Sequence, residues 1–146
     1  MMQRKQTSPI NVESQTDNRA LVMDALLLLN ELNGNDTIKR LQTYFSPNYR
    51  QESDTHTLTY KEFMEHLYAL RDVTAELQLR IAGAAAYGET VLTHHIVTVR
   101  KVNSKHSSTV EVYAHFTVQD GHIVACREMA KTLHGDEAAA ALSHVR

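Results

Sequence analysis

Beyond Asp72 the hydrophobic period of this sequence changes from that of a helix to that of a strand, and this switch leaves few architectures open. Upstream, apolar residues recur every three or four positions. Downstream they alternate through four segments, about Glu76 to Ala86, Glu89 to Lys101, Ser107 to Gln119 and His122 to Leu133. The connectors are Tyr87-Gly88, residues 102–106 and Asp120-Gly121. Such short links suit hairpins, whereas a parallel crossover needs a dozen or more residues. The spacing therefore predicts a four-stranded antiparallel meander.

Three helices are expected before it. Leu21, Ala25, Leu28, Leu29 and Leu32 form one stripe, with Asp17 or Asn18 as its cap and Asn33-Gly34-Asn35 as its stop. Asp36 heads a second, shorter helix whose face is Ile38, Leu41, Tyr44 and Phe45, ended by Ser46-Pro47-Asn48. Residues 49–57 read as an exposed connection, strand-like or irregular. Thr59 with Glu62 three residues on is a capping-box pattern, and Phe63, Met64, Leu67 and Leu70 make the third stripe. Helices followed by an antiparallel sheet define an α+β fold, with the helices laid over one face of the sheet. Residues 1–16 are expected to be a flexible leader, 17–134 the domain, and the alanine-rich 135–146 a short helix or tail.

With 146 residues, 42% of them apolar, the chain has the size of one domain with one core. Fifteen basic against seventeen acidic residues give a net charge of −2 without long runs of either sign, so nucleic acid is not an expected partner. Residues 20–32, the most apolar stretch, contain Asp24 and fall short of the roughly 20 apolar residues a membrane span needs. No secretory signal is legible, and the single Cys126 has no partner for an internal disulfide, so a cytoplasmic protein is expected. Nine histidines are present, but no HExxH or Cys/His quartet organises them, and neither a metal nor a cofactor is expected.

Alternation assigns strand faces. Val110, Val112, Ala114, Phe116 and Val118 should point inward, sending Glu111, Tyr113, His115 and Thr117 outward. In the preceding strand both faces are mixed: Leu92, His94, Ile96 and Thr98 on one, Val91, Thr93, His95, Val97 and Val99 on the other. Periodicity leaves that choice open.

The run Phe45-Ser46-Pro47-Asn48-Tyr49, then a helix, then Gly88-Glu89-Thr90-Val91, then His115 to Val124 with its Asp120-Gly121 turn, resembles the SnoaL-like branch of the nuclear transport factor 2-like superfamily. That branch carries an FSPDY-type helix end, a GD-x-V strand start and an FR-x-x-DGKI hairpin in this order. The resemblance extends over about Asp17 to Leu133. It implies a cone-shaped, curved antiparallel sheet with the helices on its concave face, a cavity between them that takes a small-molecule ligand, and frequently a homodimer through the outer faces. The segment Arg127 to Asp136 resembles strand ends in uncharacterised bacterial members, so a bacterial source is expected.

Matching the strands to this family puts Leu92, His94, Ile96 and Thr98 on the cavity side, leaving the Val/Thr-rich set for a dimer contact. It also turns Val124, Cys126, Glu128 and Ala130 inward. Glu128 then falls where related cyclases carry a catalytic Asp, with His94 as its partner in general acid/base chemistry. Tyr49, Ala114, Phe116 and Cys126 complete the expected ligand-binding set. Against this stands a structural reading in which Glu128 pairs with Arg80, Arg100 or Arg127 and His94 is a hydrogen-bonded core residue.

No complete catalytic set of the family is present. The ketosteroid isomerase positions hold Leu28, Ser53 and Ala114, and the epoxide hydrolase Arg is replaced by His94. The paired tyrosines and histidines of scytalone dehydratase are matched only loosely by Tyr44, Tyr49 and His94. The cyclase His-Asn pair is missing from Arg50-Gln51-Glu52-Ser53. Two functions follow: a ligand-binding cavity protein with isomerase or cyclase chemistry through Glu128, or a non-catalytic dimeric binding module.

Overall fold

The computed structural model describes residues 12–135, with side chains from 17 onward; the expected C-terminal tail, from residue 136, and most of the expected leader lie outside these bounds. Helix α1 (Val12–Leu27) runs into a 3-10 turn (Leu28–Glu31), followed by α2 (Thr37–Gln42), β1 (Phe45–Glu52), β2 (Thr57–Thr59) and α3 (Tyr60–Val73). Four long strands complete the fold: β3 (Thr74–Tyr87), β4 (Thr90–Lys101), β5 (Ser107–Gln119) and β6 (His122–His134). They form the expected meander within two residues at each end. Among the described residues no helix is long and apolar enough to cross a membrane.

The sheet has six strands in the order β2-β1-β6-β5-β4-β3, curved and open, with the helices on one side. Its tight corners use residues suited to positive φ. Asp120 (φ 52°) and Gly121 (φ 77°) turn β5 into β6, and Gly88 (φ 60°) turns β3 into β4. A register shift between Ile81 and Gly83 leaves Ala82 as a bulge in β3, a device that bends a strand.

Three sequence expectations are corrected. First, α1 begins at Val12, so Asp17 and Asn18 lie inside the helix rather than at its cap. The Asn18 side chain instead donates to the Gly88 carbonyl of the β3–β4 turn at 3.2 Å. Second, α2 stops at Gln42, and Phe45 opens a strand instead of closing a helix. Third, residues 45–52 pair in parallel with β6, from Phe45↔Ile123 to Glu52↔Arg127, burying Tyr49 and Gln51. Pro47 has no N–H for a ladder, and the register shifts between Phe45 and Arg50, around it. The capping box at α3 forms as expected: Glu62 N–H donates to Thr59 Oγ1, and Thr59 N–H to the Glu62 carboxylate at 2.9 Å.

The core lies between helices and sheet. Val22, Ala25, Leu28 and Leu32 of the first helical segment, with Phe63, Leu67 and Leu70 of α3, cover Leu77, Leu79, Val99 and the inward row of β5. That row is Val110, Val112, Ala114, Phe116 and Val118, each buried, as alternation requires. Asn30 pins the outer edge of β3: its Oδ1 accepts from Leu79 N–H at 2.6 Å and its Nδ2 donates to Leu79 C=O at 3.1 Å. One side chain thereby imitates a neighbouring strand at a free sheet edge.

Candidate functional site

Between the helices and the inner face of the sheet lies a partly open chamber of about 150 Å3. That is the size of a cavity holding a benzene-like molecule and well below the roughly 300–1,000 Å3 of drug-sized pockets. Its walls are largely apolar, and its polar groups are few: Tyr49, Gln51, His66, His95, Cys126 and Glu128. Among the described residues no Lys or Arg belongs to the lining.

Each polar group is delivered by a local pattern. Tyr49 and Gln51 are inward-facing neighbours on β1. The Tyr49 hydroxyl donates to Gln51 Oε1 at 2.8 Å. The Tyr49 ring packs against Phe45 (4.8 Å between centroids) and Phe63 (4.9 Å), forming one wall. His66 sits one turn from Phe63 on the buried stripe of α3. Cys126 pairs with Phe116 across the β5–β6 ladder, and Glu128 with Ala114.

Glu128 is the strongest chemical candidate in this set. It makes no hydrogen bond or ion pair with any described residue. Of the three candidate arginines, Arg100 pairs with Glu76 at 3.1 Å and Arg127 with Glu52 at 3.0 Å, while Arg80 stands exposed on the edge strand β3. Burial, reinforced by the charge of Asp54, pushes the Glu128 carboxyl up from 4.5 to about 7. Burial likewise raises the Tyr49 phenol and the Cys126 thiol, the Glu128 charge adding to both, so neither ionises near neutrality.

The β4 residues assigned through the family match face the wrong way. Directly opposed residues in an antiparallel ladder share a face, and Val112, Ala114 and Phe116 oppose His95, Thr93 and Val91. Those β4 residues are therefore inside, and Leu92, His94, Ile96 and Thr98 are outside. Leu92 is 51% exposed. His94 stacks on Tyr113 with rings 4.3 Å apart and bonds Glu111 at 2.7 Å, on the far side of the sheet from Glu128. It is not the carboxylate's partner, and the Val/Thr set is not a dimer surface. Tyr49, Phe116, Cys126 and Glu128 do line the chamber; Ala114 is buried on the inner face between Thr93 and Glu128 without lining it.

His95 takes the place expected of His94. Burial, with the nearby His94 charge adding to it, pushes its imidazole down from 6.5 to about 4, so the ring is neutral at physiological pH. Its Nδ1 lies 3.1 Å from Thr93 Oγ1. His95, His66 and Gln51 were missed by sequence reasoning. His66 was legible in principle, since positions 63, 66, 67 and 70 share a helical face. Among the described residues no group of three or more His, Cys, Asp or Glu side chains is arranged to hold a metal ion. A second groove of about 610 Å3 is lined by the outer-face residues Leu92, Tyr113, His115, Arg127 and Met129 and also by Glu52, Asp54, Thr93, Ala114 and Glu128, so that Glu128 borders both spaces.

Comparison with known proteins agrees with this architecture. An uncharacterized protein of Schizosaccharomyces pombe is 29% identical over 109 residues, covering 75% of this chain and 83% of its own; a yeast relative gives the expected bacterial source no support. A SnoaL-like polyketide-cyclase-type protein from Jannaschia sp. CCS1 superposes with a TM-score of 0.70 at 16% identity, covering 94% of each chain. An LEH-like epoxide hydrolase of M. tuberculosis does so with 0.66 at 17% identity, covering 81% of this chain and 85% of its own. At such identities these two report the fold alone. The SnoaL-like domain matches residues 28–126, the stretch that builds most of the chamber, and the chain belongs to that family.

Proposed function

We propose that this protein holds one small, apolar, oxygenated molecule in its inner chamber and moves a proton on it through Glu128. The observation that carries this reading is a carboxyl among largely apolar walls that makes no ion pair with any described residue, Arg127 being turned to Glu52. A carboxyl titrating near 7 is populated in both forms at neutral pH, so it can take a proton from a carbon next to a carbonyl and return it elsewhere. His95, neutral and on the same inner face, supplies a hydrogen bond without bringing a charge. Isomerisation or cyclisation fits these parts.

Native mass spectrometry followed by denaturing extraction tests it. A retained small molecule whose binding or turnover drops in Glu128→Gln supports the assignment. An identified ligand handled equally by both proteins removes Glu128 from the chemistry.

A second reading concerns the outer face. Leu92, Tyr113 and Met129 stand exposed around one groove with Arg127 and His115 at its margin. Such a patch suits a second copy of the chain, making the protein a sheet-to-sheet homodimer. This assembly is compatible with catalysis or with a purely binding role.

A further inference from the structure

His95 Nε2 is a polar atom on the chamber wall without a protein partner among the described residues, and its neighbour Thr93 decides which hydrogen it carries. The contact between Thr93 Oγ1 and His95 Nδ1, 3.1 Å, admits two arrangements. If Nδ1–H donated to Thr93, the Thr93 hydroxyl proton would have no acceptor, although Thr93 is only 4% exposed, and the Nε2 lone pair would face the apolar chamber empty. If Thr93 O–H donates to Nδ1, the hydroxyl proton is satisfied and only one group, Nε2–H, remains without a partner. The second arrangement leaves fewer buried polar groups unmet.

Resting on the reading of the chamber as a ligand site, we propose that it selects an uncharged carbonyl compound about one ring in size, whose oxygen accepts from His95 Nε2–H, with Thr93 as the positioning residue that sets this tautomer. The chamber volume of about 150 Å3 matches a molecule of one ring. Charge selection follows from the lining, which among the described residues offers no Lys or Arg to a carboxylate or phosphate and adds the carboxyl of Glu128. Burying an unpaired anion there is costly. The other phenol and amide donors and acceptors are partly spent on each other, since the Tyr49 hydroxyl is bound to Gln51. Glu128 and His95 are two strands apart, on β6 and β4 with β5 between them, a separation of roughly 10 Å across the sheet. A ring fits between them with its carbonyl toward His95 and an adjacent C–H toward Glu128.

The test uses full-length protein labelled with 15N-histidine at pH 7.5, with cyclohexanone and cyclohexanecarboxylate as matched probes. The His95 ring nitrogens should report Nε2 protonated and Nδ1 bare, and cyclohexanone should shift the Nε2 signal while the carboxylate leaves it in place. Thr93→Val should mix the tautomers and weaken cyclohexanone binding roughly tenfold, the loss expected for one oriented hydrogen bond. Thr93→Ser should restore both, which a purely packing role for Thr93 would not. An Nδ1-protonated ring, or equal binding of the two probes, overturns the inference while leaving the chamber a ligand site. Binding of neither probe to a protein with the expected tautomer overturns the carbonyl assignment, and an empty chamber in native mass spectrometry as well would take the ligand-site reading with it.

Discussion

Glu128 and His95 together make a prediction about pH that neither makes alone. The Glu128 carboxyl titrates at about 7 in the folded protein against 4.5 when free. Between those values the unfolded chain has lost its proton and the folded chain has kept it, so stability falls as pH rises from 4.5 to 7, by about 3 kcal/mol. His95 runs the other way. Its ring titrates at about 4 when folded against 6.5 when free. Its contribution is complete above 6.5 and is lost as pH falls toward 4, again by about 3 kcal/mol. From pH 4.5 to 6.5 the two slopes oppose each other and the pair contributes almost no net pH dependence.

Glu128→Gln removes one slope while keeping the shape of the side chain. Relative to wild type, the variant should gain about 3 kcal/mol between pH 4.5 and 7 and hold that advantage above 7. With a urea m-value of about 2 kcal/mol/M, this moves the unfolding midpoint by about 1.5 M. The chain has no tryptophan, so far-UV circular dichroism is the natural signal. Groups common to both proteins cancel in the difference. An offset between the two proteins that stays constant from pH 4.5 to 7.5 would refute the reasoning, because it would mean that Glu128 titrates as a solvated carboxylate.

Three further outcomes are expected. Asn30→Ala removes both bonds to Leu79 and leaves its N–H and C=O unmet at the sheet edge; a loss of about 2 kcal/mol, seen as a Tm lowered by about 5–8 °C in calorimetry, follows. Cys126, 1% exposed and with its thiol pushed up by burial, should resist Ellman's reagent in the native protein and react fully in urea; rapid native reaction would contradict the packing of β6 against β1. Leu92→Glu on the outer groove should give a monomer in sedimentation velocity while leaving the Tm of that monomer nearly unchanged, whereas a wild type already monomeric would remove the dimer reading.

The local features of this fold were legible because they depend on neighbours in sequence. A change of period at Asp72 announced the strands, Asp120-Gly121 supplied the positive φ of a hairpin, and Thr59 with Glu62 closed a capping box three residues wide. The inward face of β5 could be read because its two faces differ sharply in polarity. Glu128 was reachable from the family pattern for a similar reason: its strand is tied to the Asp120-Gly121 turn only a few residues away.

Tertiary structure alone decided the rest. Residues 45–52 carry a proline and no clean alternation, and they become a strand because β6, more than seventy residues later, offers them a parallel edge. On β4 both faces carry one histidine among apolar and threonine residues, so polarity could not choose between His94 and His95. The ladder with β5 did, by placing His95 opposite Val112 and His94 opposite Tyr113. Whether Glu128 would be neutralised by an arginine also depended on the tertiary structure, in which Arg127 pairs with Glu52 and Arg100 with Glu76. The sequence by itself determined periods, turns and caps, which are properties of adjacent residues. Which histidine shares the inner face with the carboxylate, and whether that carboxylate stays unpaired, are properties of strand register and of competition among charges, and these exist only once the sheet has curved against its helices.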